Sequence, residues 1–210
     1  MALNWQSLGA RRLHVIDLDG AASGEIRHFD LIKDIATALL IPIQVGGGIR
    51  HFEIIERLLK AGVERVILGT AALENPYLVK QACLRFGESI IISIDTREGM
   101  VSSHGWQRDS ELNAIELARS MVKLGARRFI YTDITRDGTL TEPNFSAISE
   151  LISAVRVPVI ASGGISSINH LRMLSKLGCE GAVIGKALYT RAINLKEALD
   201  VMTRMDNGVG

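Results

Sequence analysis

Short runs of apolar, mostly β-branched residues alternate along the chain with amphipathic stretches. Such alternation is typical of βα units built around a parallel sheet. The runs hold few polar residues, as expected for parallel strands that are covered on both faces. They predict seven strands, at Leu13–Asp17, Ile43–Val45, Arg65–Leu68, Ile90–Asp95, Arg128–Thr132, Val157–Ala161 and Gly181–Ile184.

The amphipathic stretches between these runs predict helices. In Phe52–Ala61, for example, Ile55, Leu58 and Leu59 recur at helical spacing and share one face. Asn4–Gly9 is typical of the end of a helix, and further helices are expected to begin near Pro76, Glu111, Asn144 and Ile168. Because no linker or low-complexity segment divides the chain, we expect one domain over residues 1–210.

The chain repeats itself at a fixed spacing. Three stretches recur 116 residues later, those that begin at Leu8, Ile41 and Gly62 being echoed from Leu124, Val157 and Gly178. Three echoes in one register indicate a duplicated half, which constrains the architecture more than any single residue does. We therefore expect two repeat units, about 1–86 and 87–202.

The repeat also sets an expected strand count. The second unit holds four predicted strands and the first only three, because the counterpart of Ile90–Asp95 falls before Met1. Restoring that unit predicts an α/β fold, a (βα)8 TIM-type barrel with its first strand and most of its first helix absent from this chain. A doubly wound sheet is the alternative. An open barrel would expose two strand edges, which predicts a homo-oligomer formed by pairing between copies.

Composition and charge exclude several classes of partner. The formal charge of +1 offers no basic field for nucleic acid. No apolar run approaches the roughly 18 residues of a membrane span, and the first residues lack the pattern of a signal peptide. Cys83 and Cys179 are isolated, and we expect buried thiols in a reducing cytoplasm. The expected partner is thus a small molecule rather than nucleic acid or a membrane.

Glycines cluster where predicted strands end. Gly46–Gly48 and Gly69–Thr70 end two strands of the first unit, and their repeat counterparts are Gly163–Gly164 and Gly185–Lys186. Glycine lets backbone N–H groups approach an anion closely. Two equivalent clusters therefore predict two phosphate sites and a bisphosphorylated ligand. Lys186 fits phosphate binding better than a Schiff-base role, because it follows the glycine directly.

Carboxylates form the second group at strand ends, at Asp17, Asp19, Asp95, Asp133 and Asp137. Each could cap a loop or pair with a cation. Asp95 differs because it follows a run in which only Ser93 is polar. Burial there would raise the pKa of Asp95 and suit it to general-acid catalysis.

The remaining chemistry-bearing residues give weaker signals. Trp106 lies in a long loop after the Asp95 strand, where it is expected either to cover a flat ligand or simply to pack. The five histidines show no metal-ligand spacing, and we expect structural or surface roles for His14 and His51. We find no nucleophilic Ser or Cys constellation and no dinucleotide-binding fingerprint.

Five motifs together resemble one family, the ProFAR isomerases of histidine biosynthesis, whose substrate is a bisphosphorylated aminoimidazole carboxamide ribotide. The resemblance runs from about Ala2 to Leu199. Leu68–Thr70 and Gly105–Trp106 are similar to the isomerase rather than to the related cyclase subunit of imidazole glycerol phosphate synthase. The motifs are Leu13–Ala21, Gln44–Arg50, Leu68–Ala72, Asp137–Leu140 and Ala161–Ser167.

The resemblance implies an Amadori rearrangement of an aminoaldose to an aminoketose, with no cofactor and no metal. A general acid opens the ribose ring to a Schiff base, and a base then removes the C2 proton. Asp95 would be the acid, Thr132 and Asp137 a polar pair beyond the next strand, and Trp106 the covering residue. The implied phosphate and substrate contacts are Gly20, Gly48, Arg50, Gly69 and Thr70 on one side and Gly138, Gly164, Gly185 and Lys186 on the other.

The resemblance also implies a second catalytic aspartate, the general base, at the end of the strand that falls before Met1. Losing a positioned base costs about 10²–10⁴ in rate. Three hypotheses therefore stand beside each other. The chain is expected to be the isomerase, a non-catalytic phosphosugar-binding or assembly protein, or a dual-substrate isomerase that also acts on phosphoribosyl anthranilate.

Overall fold

Seven parallel strands follow one another around a single sheet in the computed structural model, which describes residues 1–206. The order is β1-β2-β3-β4-β7-β8-β9, and β5 and β6 form an antiparallel hairpin on β4. The strands are β1 Leu13–Ile16, β2 Ile43–Gly46, β3 Arg65–Leu68, β4 Ile90–Arg97, β5 Met100–Ser103, β6 Arg108–Asn113, β7 Phe129–Asp133, β8 Val159–Ser162 and β9 Gly181–Ala182.

Helices alternate with the parallel strands. They are α1 Ala2–Ser7, α2 Leu18–Ser23, α3 Phe29–Ala38, α4 Phe52–Lys60, α5 Thr70–Glu74, α6 Pro76–Phe86, α7 Ala114–Lys123, α8 Phe145–Val155, α9 Ile168–Lys176, α10 Lys186–Tyr189 and α11 Leu195–Asp206. Within the described residues, none of them is long and apolar enough to cross a membrane.

All seven predicted strands are confirmed, with shifts of up to two residues at their ends. The predicted helix near Glu111 is wrong in its start, because Glu111 lies in β6 and α7 begins at Ala114. The side chain of Asn113 accepts a hydrogen bond from the Ile115 N–H at 2.8 Å and so caps this helix. The long loop predicted after β4 is instead the β5–β6 hairpin.

The parallel sheet curls, so its two faces form two separate cores. Residues such as Val66 and Leu68 point outward and pack with the helices in the larger core. Alternate residues point inward, and four isoleucines from neighbouring strands form the smaller core, Ile67, Ile91, Ile130 and Ile160. Helices outside and a small apolar core inside are the arrangement of a (βα)8 barrel.

The two ends of the sheet do not pair with each other. Among the described residues, β1 pairs only with β2, and β9 pairs only with β8. The helical layer nevertheless connects the first and last units. The Trp5 ring packs edge-on against Tyr189 with centroids 5.4 Å apart, and Arg11 Nη2 donates to Thr203 Oγ1 at 2.7 Å.

The 116-residue repeat also places equivalent ion pairs at the amino-terminal ends of the strands, opposite the glycine clusters. Arg12 pairs with Glu64 at 3.0 Å, and their counterparts Arg128 and Glu180 pair at 2.6 Å. Arg128 also pairs with Glu88 at 3.0 Å. The first two pairs connect strands that are two apart in the sheet, β1 with β3 and β7 with β9, whereas Arg128–Glu88 connects the neighbours β7 and β4.

Both cysteines are free thiols. Cys83 is buried, as predicted, whereas Cys179 is only half-buried beside β9. Burial raises the pKa of each thiol to about 11, so neither is activated as a nucleophile.

Candidate active site

Asp95 lies near the carboxyl end of β4 on the inward face of the sheet. Ser93, two residues earlier, points to the same side, and its Oγ donates to Asp95 Oδ1 at 2.8 Å. Trp106 in the hairpin turn donates from Nε1 to Asp95 Oδ2 at 2.8 Å. Each carboxylate oxygen thus has at least one side-chain donor.

Burial raises the pKa of Asp95 above its ordinary value. Hydrogen bonds from Trp106, Ser93 and Thr132 oppose the rise, and the negative charge of Asp137 adds to it. A carboxyl group with a raised pKa is more often protonated near neutral pH, which is the requirement for a general acid.

Thr132 and Asp137 both lie on the β7 side of Asp95, Thr132 in the strand itself and Asp137 in the turn that follows it. Thr132 is directly opposite Asp95 in the β4–β7 register and is buried. Asp137 is exposed in the turn after β7, and its N–H donates to the Asp133 carbonyl at 3.1 Å. The three residues predicted to be catalytic are therefore neighbours in the fold.

The carboxylate of Asp17 is fully engaged by the backbone. It accepts hydrogen bonds from the N–H groups of Gly20 at 2.8 Å, Arg27 at 2.6 Å and His28 at 2.9 Å. Burial alone would raise the pKa of Asp17, but the bonds from His28, Gly20 and Arg27 hold it below its ordinary value. Asp17 therefore organises the α2–α3 connection and stays ionised.

Asp133, the repeat counterpart of Asp17, has the same kind of role. Its carboxylate accepts hydrogen bonds from Thr135 Oγ1 at 2.6 Å and Asn144 Nδ2 at 2.8 Å. Asp19 is exposed and lies 2.7 Å from His28 Nε2. Of the five carboxylates at strand ends, Asp95 and Asp137 are thus the two not used to tie down a loop.

One predicted phosphate cluster forms a small pocket at the ends of β7, β8 and β9. Lys186 Nζ donates to the Gly138 carbonyl at 2.7 Å, which draws α10 and the β7–α8 turn together. A Cβ added at Gly138 or Gly185 would meet nothing within 4 Å, so the backbone there faces open space. The pocket is lined by Asp137, Gly138, Leu140, Gly164, Ile165, Val183, Gly185, Lys186 and Ala187. A wider depression between α7 and α8 lies on the outer surface and touches none of these residues.

The other predicted cluster has matching backbone geometry. Gly69 has φ −101° and ψ −94°, and Gly185 has φ −100° and ψ −103°. Each precedes a short helix, and neither caps it with a side chain. Thr70, the first residue of α5, thus occupies the position that Lys186 holds in α10. The duplicated sequence has produced two equivalent turns.

Gly48 and Gly164 are required by packing. Both have positive φ, 69° and 75°. A Cβ at Gly48 would lie 2.6 Å from the Glu25 carbonyl carbon, and one at Gly164 would lie 2.2 Å from the Glu142 carbonyl oxygen. Because such contacts are with backbone, no side chain fits at either position.

Gly20 and Arg50 lie beside the first cluster. The Gly20 N–H donates to Asp17 Oδ1, so it is not free to donate to a ligand. The predicted role of Gly20 in binding would therefore depend on its missing side chain, which lets a ligand approach the backbone closely. The Arg50 guanidinium lies against Gly24, where a Cβ would be 2.8 Å from its central carbon, and Arg50 Nη1 is 3.9 Å from Glu74 Oε2.

Two side-chain contacts of histidines were not predicted from the sequence. His104, two residues before Trp106, lies with Nε2 3.3 Å from Glu74 Oε1. His14 faces the barrel interior with Nδ1 2.8 Å from Gln44 Nε2, and burial lowers the pKa of His14 to about 4. His14 is therefore neutral, which agrees with its predicted structural role. Partners 30 residues apart leave no periodic signal in one sequence.

Residues 1–206 contain no group of three or more His, Cys, Asp or Glu side chains able to hold a metal ion.

Comparisons with known proteins show the family to which this chain belongs. The sequence profile of the family described as "Histidine biosynthesis protein" matches residues 1–194. A relative from Dehalococcoides mccartyi is 63% identical over 199 residues, which cover 95% of this chain and 82% of the relative. A relative from Thermoanaerobacter pseudethanolicus is 51% identical over 201 residues, which cover 96% of this chain and 85% of the relative. One from Chloroflexus aurantiacus is 52% identical over 201 residues, 96% of this chain and 83% of the relative.

All three relatives are named as phosphoribosyl imidazole-4-carboxamide isomerases. The identities are high, and the matched region includes every strand and every candidate site residue described above. The chain belongs to the histidine biosynthesis protein family.

Proposed function

We propose that this chain acts as an isomerase on ProFAR and converts its aminoaldose group to an aminoketose. The observation that carries the proposal is the position of Asp95, a carboxyl group of raised pKa between two equivalent glycine turns. An acid centred between two phosphate sites fits a substrate with a phosphate at each end.

The two glycine turns would hold the phosphates. At Gly185 the backbone faces open space, and at Gly69 an added Cβ would meet only the Ser93 Cβ, at 3.9 Å. A hydroxyl group follows Gly69 and an ammonium group follows Gly185. Backbone N–H groups and a nearby cation are the usual ligands of phosphate in barrel enzymes. Two anchors also fix the sugar between them, which lowers the entropic cost of reaching the reactive geometry.

Asp95 would open the ribose ring. Its proton passes to the ring oxygen as the C1–O bond breaks, and the lone pair on the substituent nitrogen forms the C1=N bond. Ser93 and Trp106 keep the carboxyl group in place during this step, and Thr132 lies opposite. The carboxylate left behind is stabilised by the same donors.

The second step needs a base to remove the C2 proton, and the resulting enolamine becomes the ketone. We expect that base on a strand between β9 and β1, where the repeat places the counterpart of Asp95. Since no strand occupies this position among the described residues, a phosphosugar-binding protein without turnover is the second candidate.

Substrate range and compartment follow from the same features. Two phosphate sites favour a bisphosphorylated substrate over phosphoribosyl anthranilate, which carries one phosphate. We propose a cytoplasmic location, because the family is described by a biosynthetic pathway.

Calorimetry and a turnover assay with ProFAR test the proposal together. We expect binding and turnover by the parent chain, and for Asp95→Asn retained binding with turnover reduced about 10²-fold or more. Asp19→Asn, an exposed carboxylate with a surface partner, is the matched control and should behave like the parent. Tight binding without turnover by the parent would select the second candidate, and absence of binding would exclude both.

A further inference from the structure

The turn that carries Trp106 is held by α5. The backbone N–H of His104 donates to Thr70 Oγ1 at 2.9 Å, and the imidazole Nε2 lies 3.3 Å from Glu74 Oε1. Thr70 and Glu74 are the first and last residues of α5. One residue of the turn is therefore fixed at both ends of a single helical segment.

The backbone of this turn needs such support. His104, Gly105 and Trp106 have φ of 54°, 61° and 69°, so three consecutive residues adopt the left-handed region. Residues other than glycine populate that region only when the surrounding structure stabilises it. Without contacts to α5, the hairpin would favour other turns, and the Trp106 indole would leave Asp95.

The contact with Thr70 also determines how its hydroxyl can act. Because Thr70 Oγ1 accepts from the His104 N–H, the hydroxyl hydrogen remains free for donation to another acceptor. A phosphate at Gly69–Thr70 is such an acceptor. The Thr70 hydroxyl can therefore accept from the His104 N–H and donate to a phosphate at the same time. Each interaction favours the hydroxyl orientation that the other needs, with the lone pair toward His104 and the hydrogen toward the phosphate.

Glu74 connects the turn to a further candidate binding residue. Its Oε2 lies 3.9 Å from Arg50 Nη1, while its Oε1 faces His104. Side-chain exposure is 19% for His104 and 44% for Glu74, so the pair is partly shielded from water. A shielded pair restrains the turn more than a fully exposed one would.

We propose that Glu74 and His104 form a clasp that positions Trp106 over Asp95 and couples phosphate binding at Thr70 to covering of the acid. Both are positioning residues that act through Trp106 and Thr70. The coupling to catalysis rests on the proposed function, whereas the clasp itself is a property of the free protein.

Trp106 fluorescence tests the clasp without any substrate. The chain has two tryptophans, so Trp5→Phe leaves Trp106 as the reporter. In that background, Glu74→Ala and His104→Asn should increase acrylamide quenching of Trp106 about threefold, the range expected for loss of one partly exposed polar contact. Asn tolerates positive φ but is too short to reach Glu74, so backbone strain does not explain its effect.

Two variants separate the clasp from a general loss of structure. Glu56→Gln removes an exposed carboxylate that pairs with Lys60 at 3.3 Å on α4, and it should leave quenching unchanged. Glu74→Gln keeps an acceptor for His104 and should restore most of the protection lost in Glu74→Ala. Inorganic phosphate should lower quenching in the parent more than in Glu74→Ala, because the clasp links Thr70 to the turn.

With ProFAR, the two clasp variants should lower kcat about tenfold through misplacement of the covering residue, with a smaller change in KM. Unchanged quenching in both Glu74→Ala and His104→Asn would overturn the clasp, whatever the turnover. Increased quenching together with no turnover by the parent would support the clasp while contradicting the proposed isomerase function.

Discussion

The indole Nε1 of Trp106 donates a hydrogen bond to Asp95 Oδ2 at 2.8 Å. The contact joins the tip of a hairpin to an inward carboxylate whose pKa is raised by burial. A donor to the carboxylate favours its ionised form, so Trp106 opposes the effect of burial. The hairpin therefore both covers the acid and limits how far its pKa rises.

Trp106→Phe should raise the pKa of Asp95 further in the free protein, because burial remains and one donor to the ionised form is lost. A ¹³C NMR titration of labelled aspartate carboxyl groups measures the change. Trp5→Phe, in a ring that packs on Tyr189, is the control and should leave the Asp95 titration in place. A lower or unchanged pKa in Trp106→Phe would show that the indole is not the donor in solution.

Asp95→Asn should make the protein more stable at neutral pH while lowering turnover about 10²-fold or more. Burial raises the folded-state pKa of Asp95 above its ordinary value, so the folded state holds its proton to higher pH than the unfolded chain does. Stability conferred by the protonated group is therefore lost as pH rises from the unfolded to the folded pKa. Urea unfolding across this range should show the largest gain for Asp95→Asn above the folded pKa and little gain below the unfolded one. A variant less stable than the parent at neutral pH would contradict the direction of the shift.

Much of the fold was predictable because its signal is local. The Arg65–Leu68 strand was predicted to the residue, since an apolar run bounded by turn signals needs no distant information. The 116-residue repeat likewise paired Gly69 with Gly185 before their backbone angles were known to match. The resemblance to a family supplied the role of Asp95, and the structure added its donors.

The interactions that were missed depend on tertiary contacts. The β5–β6 hairpin replaces a predicted loop because Asp95 pairs with Ser102 across strands, and the sequence there has few apolar residues. Glu111 has a helical pattern, yet pairing in the hairpin overrides that preference. The contact between Glu74 and His104 joins residues 30 positions apart, which no local pattern indicates.

Gly164→Ala should mainly lower the stability of the protein and Gly185→Ala should mainly weaken ligand binding, although both glycines line one pocket. At Gly164, φ is 75° and a Cβ would meet the Glu142 carbonyl oxygen at 2.2 Å, so we expect a loss of about 2–3 kcal/mol in the free energy of unfolding. At Gly185, φ of −100° and ψ of −103° lie outside the regions that other residues favour, but a Cβ would meet nothing within 4 Å, so we expect a smaller loss of about 1 kcal/mol.

Urea denaturation and calorimetric titration with ProFAR measure the two effects. Gly185→Ala should lower its unfolding midpoint less than Gly164→Ala does and bind ProFAR more weakly, since the methyl group occupies the space proposed for phosphate. Unaltered binding by Gly185→Ala would remove this turn from the proposed site. Parent-like stability of Gly164→Ala would mean that the loop relaxes to accept a side chain.

The open edge of β1 predicts self-association of the chain. The N–H groups of Leu13 and Asp17 donate to β2, so alternation leaves those of His14 and Ile16 directed toward the unpaired edge. Ile16→Pro removes one such donor without breaking the bonds to β2, and it should weaken association at least about fivefold, as expected for one lost hydrogen bond. Light scattering over a concentration series measures the dissociation constant.

Leu40→Lys is the control, because Leu40 is 93% exposed but lies outside the strand edge, and it should leave association intact. If Leu40→Lys disrupts association as much as Ile16→Pro does, general apolar contact and not strand pairing joins the copies. A parent chain that stays monomeric at every concentration would show that the β1 edge is protected in solution.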